Sequence, residues 1–438
     1  MLVRYINAYL LFPILEKLTK RDILSKRAEL YRFNRLSFEQ KNSIRKSEFY
    51  RALRHAKQNV PFYTDLFRKH AFDEEKVLKD IRYIQDLPTI NKDIIRAEWE
   101  RIRLPGARHA RKTGGSTGQS VFFYYDDIGL DWTAAVNMVA YDMSGNYPHK
   151  LDCHICSELG IKAVTLKDKF IGGMKTFSQN RRRLMISSFS DHDMRETFAH
   201  LSTMRPYLLQ GHPSSGYAIA KYIEGLGSGK RKYCDIFEPS GEMLTQKMVD
   251  TMEEYLGCRV VNRYGNAEFG VMAHSRMTDS YNRLQVFDRL FYVEDVEDSS
   301  LIVSNCTNYS FPLFRYDTGD IGTVRQAEEG TFLSDLKGRV HDLVNIDGQN
   351  YATHFLQDYL DHKVKGVREF QIFVSEWEHP TLAVVAEHES DKDRIFKAIM
   401  DRWPRGLVVK FVEMDSLVRV GWQQKFRHIV DMGSSSES

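Results

Sequence analysis

The chain has 438 residues, enough for two or three domains with a substantial buried core. Its 42% hydrophobic and 28% charged residues are ordinary for a soluble globular protein, and 62 basic against 59 acidic side chains leave a formal charge of only +3, which gives nucleic-acid binding no support. Five cysteines, an odd number, fit a reducing compartment and a cytoplasmic enzyme better than a disulfide framework.

In chain order, residues 1–15 are rich in apolar side chains but too short to span a bilayer, carry Arg4 and show no small-residue cleavage site. They read as a helix packed on the main domain. The minority reading is a peripheral membrane contact with Arg4 and the aromatic residues at the interface. Residues 16–57 are helical and highly charged, and Pro61 breaks the periodicity ahead of a short linker. Asn91 can then cap a helix.

Next comes a glycine- and hydroxyl-rich loop, Thr113-Gly114-Gly115-Ser116-Thr117-Gly118. Small residues let backbone N–H groups crowd an anion, yet taken alone such a loop is more often an ordinary surface turn. It is not a Walker loop, because Gln119 follows Gly118 where that motif needs Lys and then Ser or Thr. Val121-Phe122-Phe123-Tyr124-Tyr125 reads as a strand, which makes the loop a strand-to-strand turn, and Asp126 or Asp127 can cap the following helix.

Short apolar runs alternate with helical stretches to about residue 320, which predicts an α/β domain whose sheets are covered by helices. Beyond Gly338 the texture becomes a compact α+β series: strands over 343–346, 370–374, 381–385 and 407–412, with helices over 354–360 and 392–403. The boundary is expected near Lys337, giving a large domain over 1–336 with a helical region at 1–60, a small domain over 337–432 and a disordered tail at 433–438.

Four later segments could carry chemistry. Tyr264-Gly265-Asn266-Ala267-Glu268 follows an apolar run, so it should form a turn at a strand end, where open α/β sheets bind ligands. A tyrosine there can stack on a base and a carboxylate can hold magnesium, or the segment is an ordinary turn with a buried tyrosine. Asp320, past a tight glycine turn, can accept hydrogen bonds from ribose hydroxyls; Asp317 reads as a solvated turn aspartate. Arg339-Val340-His341 falls on the domain boundary, and Lys425 lies late in the small domain. Cys153-His154-Ile155-Cys156 resembles half a zinc site without a second pair, and a buried metal-free pair is the simpler reading. The basic runs Arg181–Arg183 and Lys230–Lys232 read as solvated loop charge.

Taken together and in order, TGGSTG, YGNAE, RYDTGD, GRVHDLVNIDG and the late Lys425 resemble the adenylate-forming superfamily of acyl-CoA synthetases, and specifically its phenylacetate–CoA ligase and CapK-like branch. Val60-Pro61-Phe62-Tyr63, the stretch from Leu87 to Arg96, Ser240-Gly241-Glu242 and Arg315-Tyr316 are similar to that branch. The resemblance implies a large adenylate-forming domain with a small mobile α+β domain. It also implies use of ATP, Mg2+ and coenzyme A: a small carboxylic acid becomes an acyl-adenylate and passes to coenzyme A, or to a carrier-protein thiol or an amine, with surface polysaccharide synthesis as a setting.

By the same resemblance, residues 113–118 hold phosphates, Tyr264 stacks on adenine beside Ser240, Gly241 and Glu242, and Gly265, Asn266 and Ala267 continue the nucleotide site. Glu268 binds magnesium, Asp320 takes the ribose hydroxyls with Arg339 assisting, Asn350 joins the ATP site, and His212 lines the acyl pocket. His341 lies at the hinge, and Lys425 bridges the carboxylate and the α-phosphate. Ala267 stands where the superfamily usually carries a hydroxyl residue, His341 where it has an aspartate, Asp347 where arginine is common, and Gln424 where glycine precedes the lysine. A weakened nucleotide-binding scaffold is the rival reading.

Overall fold

The computed structural model describes every residue except 113–120, 158–165, 187–190, 228–230, 295–299, 340–342, 353–355, 357–358, 361–363, 376–378, 421–424, 427–428 and 433–438. Local chemistry sets the first helices. α1 (Leu2–Ile6) and α2 (Phe12–Leu18) flank a π-helical turn, Asn7–Leu11, which ends just before Pro13, a residue with no N–H to give to the helical ladder. Next come α3 (Ile23–Asn34) and α4 (Phe38–Asn59), the latter begun by a capping box between Ser37 and Gln40. Pro61 opens α5 (Pro61–Lys69) where a linker was expected, because at the first helical position its missing N–H costs nothing.

After the short α6 (Lys76–Lys79), Asn91 caps α7 (Lys92–Ile102) by accepting from the N–H groups of Asp93 and Ile94. β1 (His109–Lys112) and β2 (Phe122–Tyr125) pair antiparallel on either side of the glycine-rich loop, whose residues 113–118 lie outside the described residues. Asp126 then caps α8 (Asp127–Met143) through Gly129 N–H.

The central layer is parallel. β3 (Asp152–Ser157), β4 (Arg181–Ile186), β5 (Leu208–Gly211), β6 (Ile236–Pro239) and β7 (Arg259–Val260) lie in the order β4-β3-β5-β6-β7. Helices α9 (Leu166–Ser178), α10 (Asp191–Met204), α11 (Pro213–Gly225) and α12 (Gln246–Leu256) make the crossovers. The order reverses at β3, which places β3 and β5 at a switch point of the kind where open sheets bind ligands. β5 and β6 are buried along their whole length, as strands covered on both faces must be. Cys153 and Cys156, three residues apart on β3, point to opposite faces by the two-residue strand period, and burial raises the thiol pKa of each.

An antiparallel sheet of β8 (Arg263–Asn266), β9 (Gly270–Ser275), β10 (Leu284–Val286), β14 (Asp320–Ala327) and β15 (Gly330–Arg339) runs in the order β14-β15-β10-β9-β8. A third sheet holds β11 (Phe291–Glu294), β12 (Ile302–Asn305) and β13 (Tyr316–Asp317). β15 stays in its ladder as far as the Asp320–Arg339 pair, two residues beyond Lys337. After the hairpin β16 (Leu343–Ile346) and β17 (Gln349–Ala352), the C-terminal residues form their own sheet of β18 (Val367–Val374), β19 (Thr381–Ala386), β20 (Val408–Phe411) and β23 (Ile429–Asp431). It packs with α13 (Lys392–Arg402) around a separate core that includes Phe370, Ile395 and Trp403. Strands β21 (Arg419–Val420) and β22 (Lys425–Phe426) pair beside it.

One buried charge ties the layers together. The Glu238 carboxylate, on β6, accepts from Arg263 at 2.7 Å and Gln210 at 2.7 Å through Oε1, and meets His274 Nε2 at 3.0 Å through Oε2. Arg263 also donates to Asn137 of α8 at 3.0 Å. Burial alone would raise the Glu238 pKa, but Arg263 and His274 outweigh it and hold the group down to about 2. Glu238→Gln should therefore cost about 3–5 kcal/mol of stability, because it leaves the Arg263 charge buried without its counter-ion. Denaturant unfolding measures the loss. Since the folded pKa lies below the usual 4.5, the Glu238 contribution is complete above that value and declines as pH falls toward about 2. The gap between wild type and variant should narrow on acidification below 4.5, and a gap independent of pH would contradict this account.

Candidate active site

β5, β6 and β7 end side by side, and each delivers a sequence-predicted residue from its C-terminal end. His212 follows β5 and caps α11 by position. Its Nδ1 lies 2.8 Å from the Ser240 carbonyl oxygen, and since a carbonyl only accepts, Nδ1 carries the proton in this contact. Ser240 N–H donates back to Gly211 at 2.9 Å, and Gly241 turns the chain at φ +81. Glu242 accepts from Ser214 N–H at 3.1 Å through Oε2, while its buried Oε1 has no hydrogen-bond partner among the described residues and lies 3.8 Å from His212. An orphaned buried carboxylate oxygen is costly unless something else satisfies it.

Tyr264 lies just past β7, on a strand rather than in a turn. Residues 263–266 form β8 and fold back on β9, and only Ala267, Glu268 and Phe269 make the bend. Glycine is required here: a Cβ on Gly265 would sit 2.4 Å from the Gly270 carbonyl oxygen. The Tyr264 ring is buried in the main core, and its hydroxyl donates to Asp320 Oδ2 at 2.9 Å. Burial, reinforced by the Asp320 charge, holds that hydroxyl well above its usual pKa. Asp320 N–H donates to Thr318 Oγ1 at 3.2 Å, and Asp320 stands opposite Arg339 in the β14–β15 ladder. Asp317 is not the solvated turn residue expected: it accepts from Gly319 N–H at 2.9 Å and from Ser300 Oγ, and so pins the turn that presents Asp320.

Glu268 is nearly buried. Its Oε1 accepts from the Tyr316 hydroxyl at 2.9 Å and lies 4.0 Å from Lys92 Nζ. Tyr125 donates to the backbone carbonyls of Ala267, at 3.1 Å, and Glu268. Lys92 reaches this point because Ile90 pairs with Tyr316 as an isolated parallel bridge. Sequence reasoning gave no role to Lys92, Tyr316 or Tyr125; the signal available was that the first two lie in segments already similar to the CapK-like branch. Among the described residues no group of three or more metal-ligating side chains gathers anywhere. A single carboxylate nevertheless fits magnesium, which takes one or two carboxylates and completes its shell with phosphate oxygens and water.

Ser240 and Arg263 also line a cavity of about 410 Å3 that runs from this edge beside α8 to Asp152, Arg181 and the N-terminal helices. Its walls mix apolar side chains such as Phe12, Ile23 and Met138 with charged ones. Arg181 is held by Asp152 at 3.0 Å, and Lys150 donates to Gly145 at 2.7 Å and lies over the Tyr207 ring.

The predicted residues thus fall into a His212–Ser240–Glu242 group and a Tyr264–Glu268–Asp320 group. The side chains of Arg339, Asn350 and Lys425 lie outside the description, although their backbones are placed on strands: Arg339 on β15, Asn350 opposite Asn345, Lys425 opposite Val420. His341 is outside the described residues, as is the loop over 113–118.

No family model matches the chain. In sequence it is similar to protein CapK of Staphylococcus aureus, 24% identical over 378 residues that cover 83% of this chain and 81% of CapK. In structure it is similar to 2-hydroxyisobutyryl-CoA ligase in its postadenylation state with R3-HIB-AMP, with a TM-score of 0.69 at 16% identity and 90% of each chain covered. It is also similar to the amide bond synthetase McbA from Marinactinospora thermotolerans, with a TM-score of 0.50 at 15% identity over 73% of this chain and 68% of McbA. The chain carries the fold of the adenylate-forming ligases and is similar in sequence to CapK.

Proposed function

We propose that the protein is an ATP-dependent carboxylate ligase that makes an acyl-adenylate and passes the acyl group to the thiol of coenzyme A. The observation that carries this reading is the meeting of motifs far apart in sequence, above all the hydrogen bond from Tyr264 to Asp320, at the edge where the parallel strands end. In this reading adenine lies between Tyr264 and residues 240–242, and Asp320 takes the ribose with Arg339 beside it. Gly265, Asn266 and Ala267 flank the α-phosphate, residues 113–118 hold the outer phosphates, and Asn350 and His341 belong to the mobile C-terminal side. The acid occupies the 410 Å3 cavity lined by Ser240, whose carbonyl contacts His212.

The chemistry demands this set. A carboxylate oxygen attacks the α-phosphorus, the bond to pyrophosphate breaks, and two anions must be brought together for that to happen. Lys425 would neutralise the shared charge, and Glu268 would hold magnesium, whose contribution when bound is to withdraw charge from the phosphate oxygens. A thiolate then attacks the acyl carbon and AMP leaves. A carrier-protein thiol or an amine is an alternative acceptor, and the likeness to an amide bond synthetase favours the amine of the two. A setting in surface polysaccharide synthesis rests on the CapK likeness alone.

Acid-dependent exchange of labelled pyrophosphate into ATP tests the first step. A responding acid should emerge from a broad panel, and Lys425→Ala should lower its exchange rate about a hundredfold or more while unfolding is unchanged. If no acid supports exchange although the folded protein binds ATP, the scaffold reading replaces this one. Tyr264→Phe removes one partner of Asp320 and should raise the KM for ATP about tenfold with a smaller effect on kcat. An unchanged KM would remove Tyr264 and Asp320 from the nucleotide site.

A further inference from the structure

The N-terminal helices are amphipathic the wrong way round for water. Their inner side is fixed to the body: Asn7 donates to the Phe177 carbonyl at 3.0 Å and to Asn180 Oδ1 at 3.0 Å, Asn180 donates to the Arg4 carbonyl at 2.8 Å, and Ala8 and Phe12 pack inward. The outward ridge is nonetheless apolar. Leu2, Ile6, Leu10, Ile14 and Leu18 recur every four residues and are 74%, 45%, 58%, 46% and 73% exposed, with Val3 and Tyr9 beside them. An ordinary surface helix turns its polar stripe outward, so a ridge of this kind marks a face that some other phase covers.

Charge identifies that phase. Of the five charged side chains between residues 1 and 21, four are basic, and the one acid, Glu16, accepts from Leu24 N–H at 2.7 Å. Arg21 is paired with Asp131, which leaves Arg4, Lys17 and Lys20 exposed along the ridge. A second copy laid on this face would bring like charges together across a two-fold axis. A layer of anionic lipid headgroups attracts them. Tyr5 and Tyr9 stand at the rim, packed against His149, and Tyr147 lies exposed next to them, where a membrane's headgroup level favours tyrosine. Among the described residues no helix is long and apolar enough to cross a bilayer.

We propose that α1 and α2 form an in-plane anchor that seats the protein on a bilayer rich in anionic lipid, with Leu2, Ile6, Leu10, Ile14 and Leu18 in the acyl boundary and Arg4, Lys17 and Lys20 on the headgroups. This anchor is independent of the ligase reading.

Co-sedimentation of the full chain with phospholipid vesicles tests it. The protein should pellet with vesicles of phosphatidylcholine and phosphatidylglycerol in equal parts, pellet weakly with phosphatidylcholine alone, and bind less at high salt. Ile6→Glu with Leu10→Glu should weaken binding about tenfold or more, and Lys17→Glu with Lys20→Glu should weaken it about tenfold for the mixed vesicles only. All four positions are exposed, so the thermal unfolding midpoint should not move; Leu10→Trp, which keeps the ridge apolar, should bind as wild type and shift its emission to the blue on mixed vesicles. A wild-type protein that stays in solution with both vesicle types, or binding indifferent to the Ile6 and Leu10 changes, overturns the proposal. So does a dimer by light scattering that those two changes dissolve in the absence of lipid, since the ridge would then serve a second copy.

Discussion

A charge placed where water cannot reach must be matched by protein, and Glu238 turns that requirement into architecture. Its partners come from β5, β8 and β9, and through Arg263 from α8, so the parallel sheet, the antiparallel sheet and a covering helix are held to one point. The positions that matter most are one or two residues away from that point: His212 beyond Gln210, Ser240 beyond Glu238, Tyr264 beyond Arg263. His212 and Ser240 lie just past the ends of the strands that carry Gln210 and Glu238, and Arg263 and Tyr264 are neighbours that strand alternation sends in opposite directions. The network is therefore a gauge that sets the spacing of the candidate site, and through Gln210 and Arg263 it also forms part of the wall of the 410 Å3 cavity.

Much of this could be read from local chemistry. Asn91 and Asp126 announced their helices because a short side chain that satisfies orphan N–H groups acts within three residues. The strands and the last helix of the C-terminal series came from periodicity, which is equally local. Pro61 shows the limit of that approach: proline signals that a helix is interrupted, but whether it ends one or starts one depends on which N–H groups already have partners. Asp317 shows another, since the Ser300 and Gly319 groups that hold it are decided by the return of the chain.

The site divides along the same line. Motif order was enough to nominate Tyr264, Glu268, Asp320 and residues 240–242, because order survives in sequence. Contacts across long separations do not. Lys92 approaches Glu268 only through the Ile90–Tyr316 bridge, and the Glu238–Arg263–His274 cluster joins residues that no periodicity relates. For the N-terminal helix the sequence favoured packing on the main domain over a peripheral membrane contact, and the ambiguity has a different cause. An apolar helix of this length looks the same whether its hydrophobic side faces inward or out, and only the Asn7 and Asn180 hydrogen bonds determine which side is which.

The same helical segment has another property. Ala8, Phe12 and Arg21 form part of the wall of the 410 Å3 cavity, while Tyr9, Leu10, Ile14 and Lys20 of the same segment face outward. A wall one helix thick has two faces but a single set of positions. Whatever shifts it from inside alters what it presents outside, and by thermodynamic reciprocity the outer contact changes affinity within the cavity by the same factor. If the ridge takes a bilayer as proposed, filling the cavity and holding that surface would be coupled through this one wall.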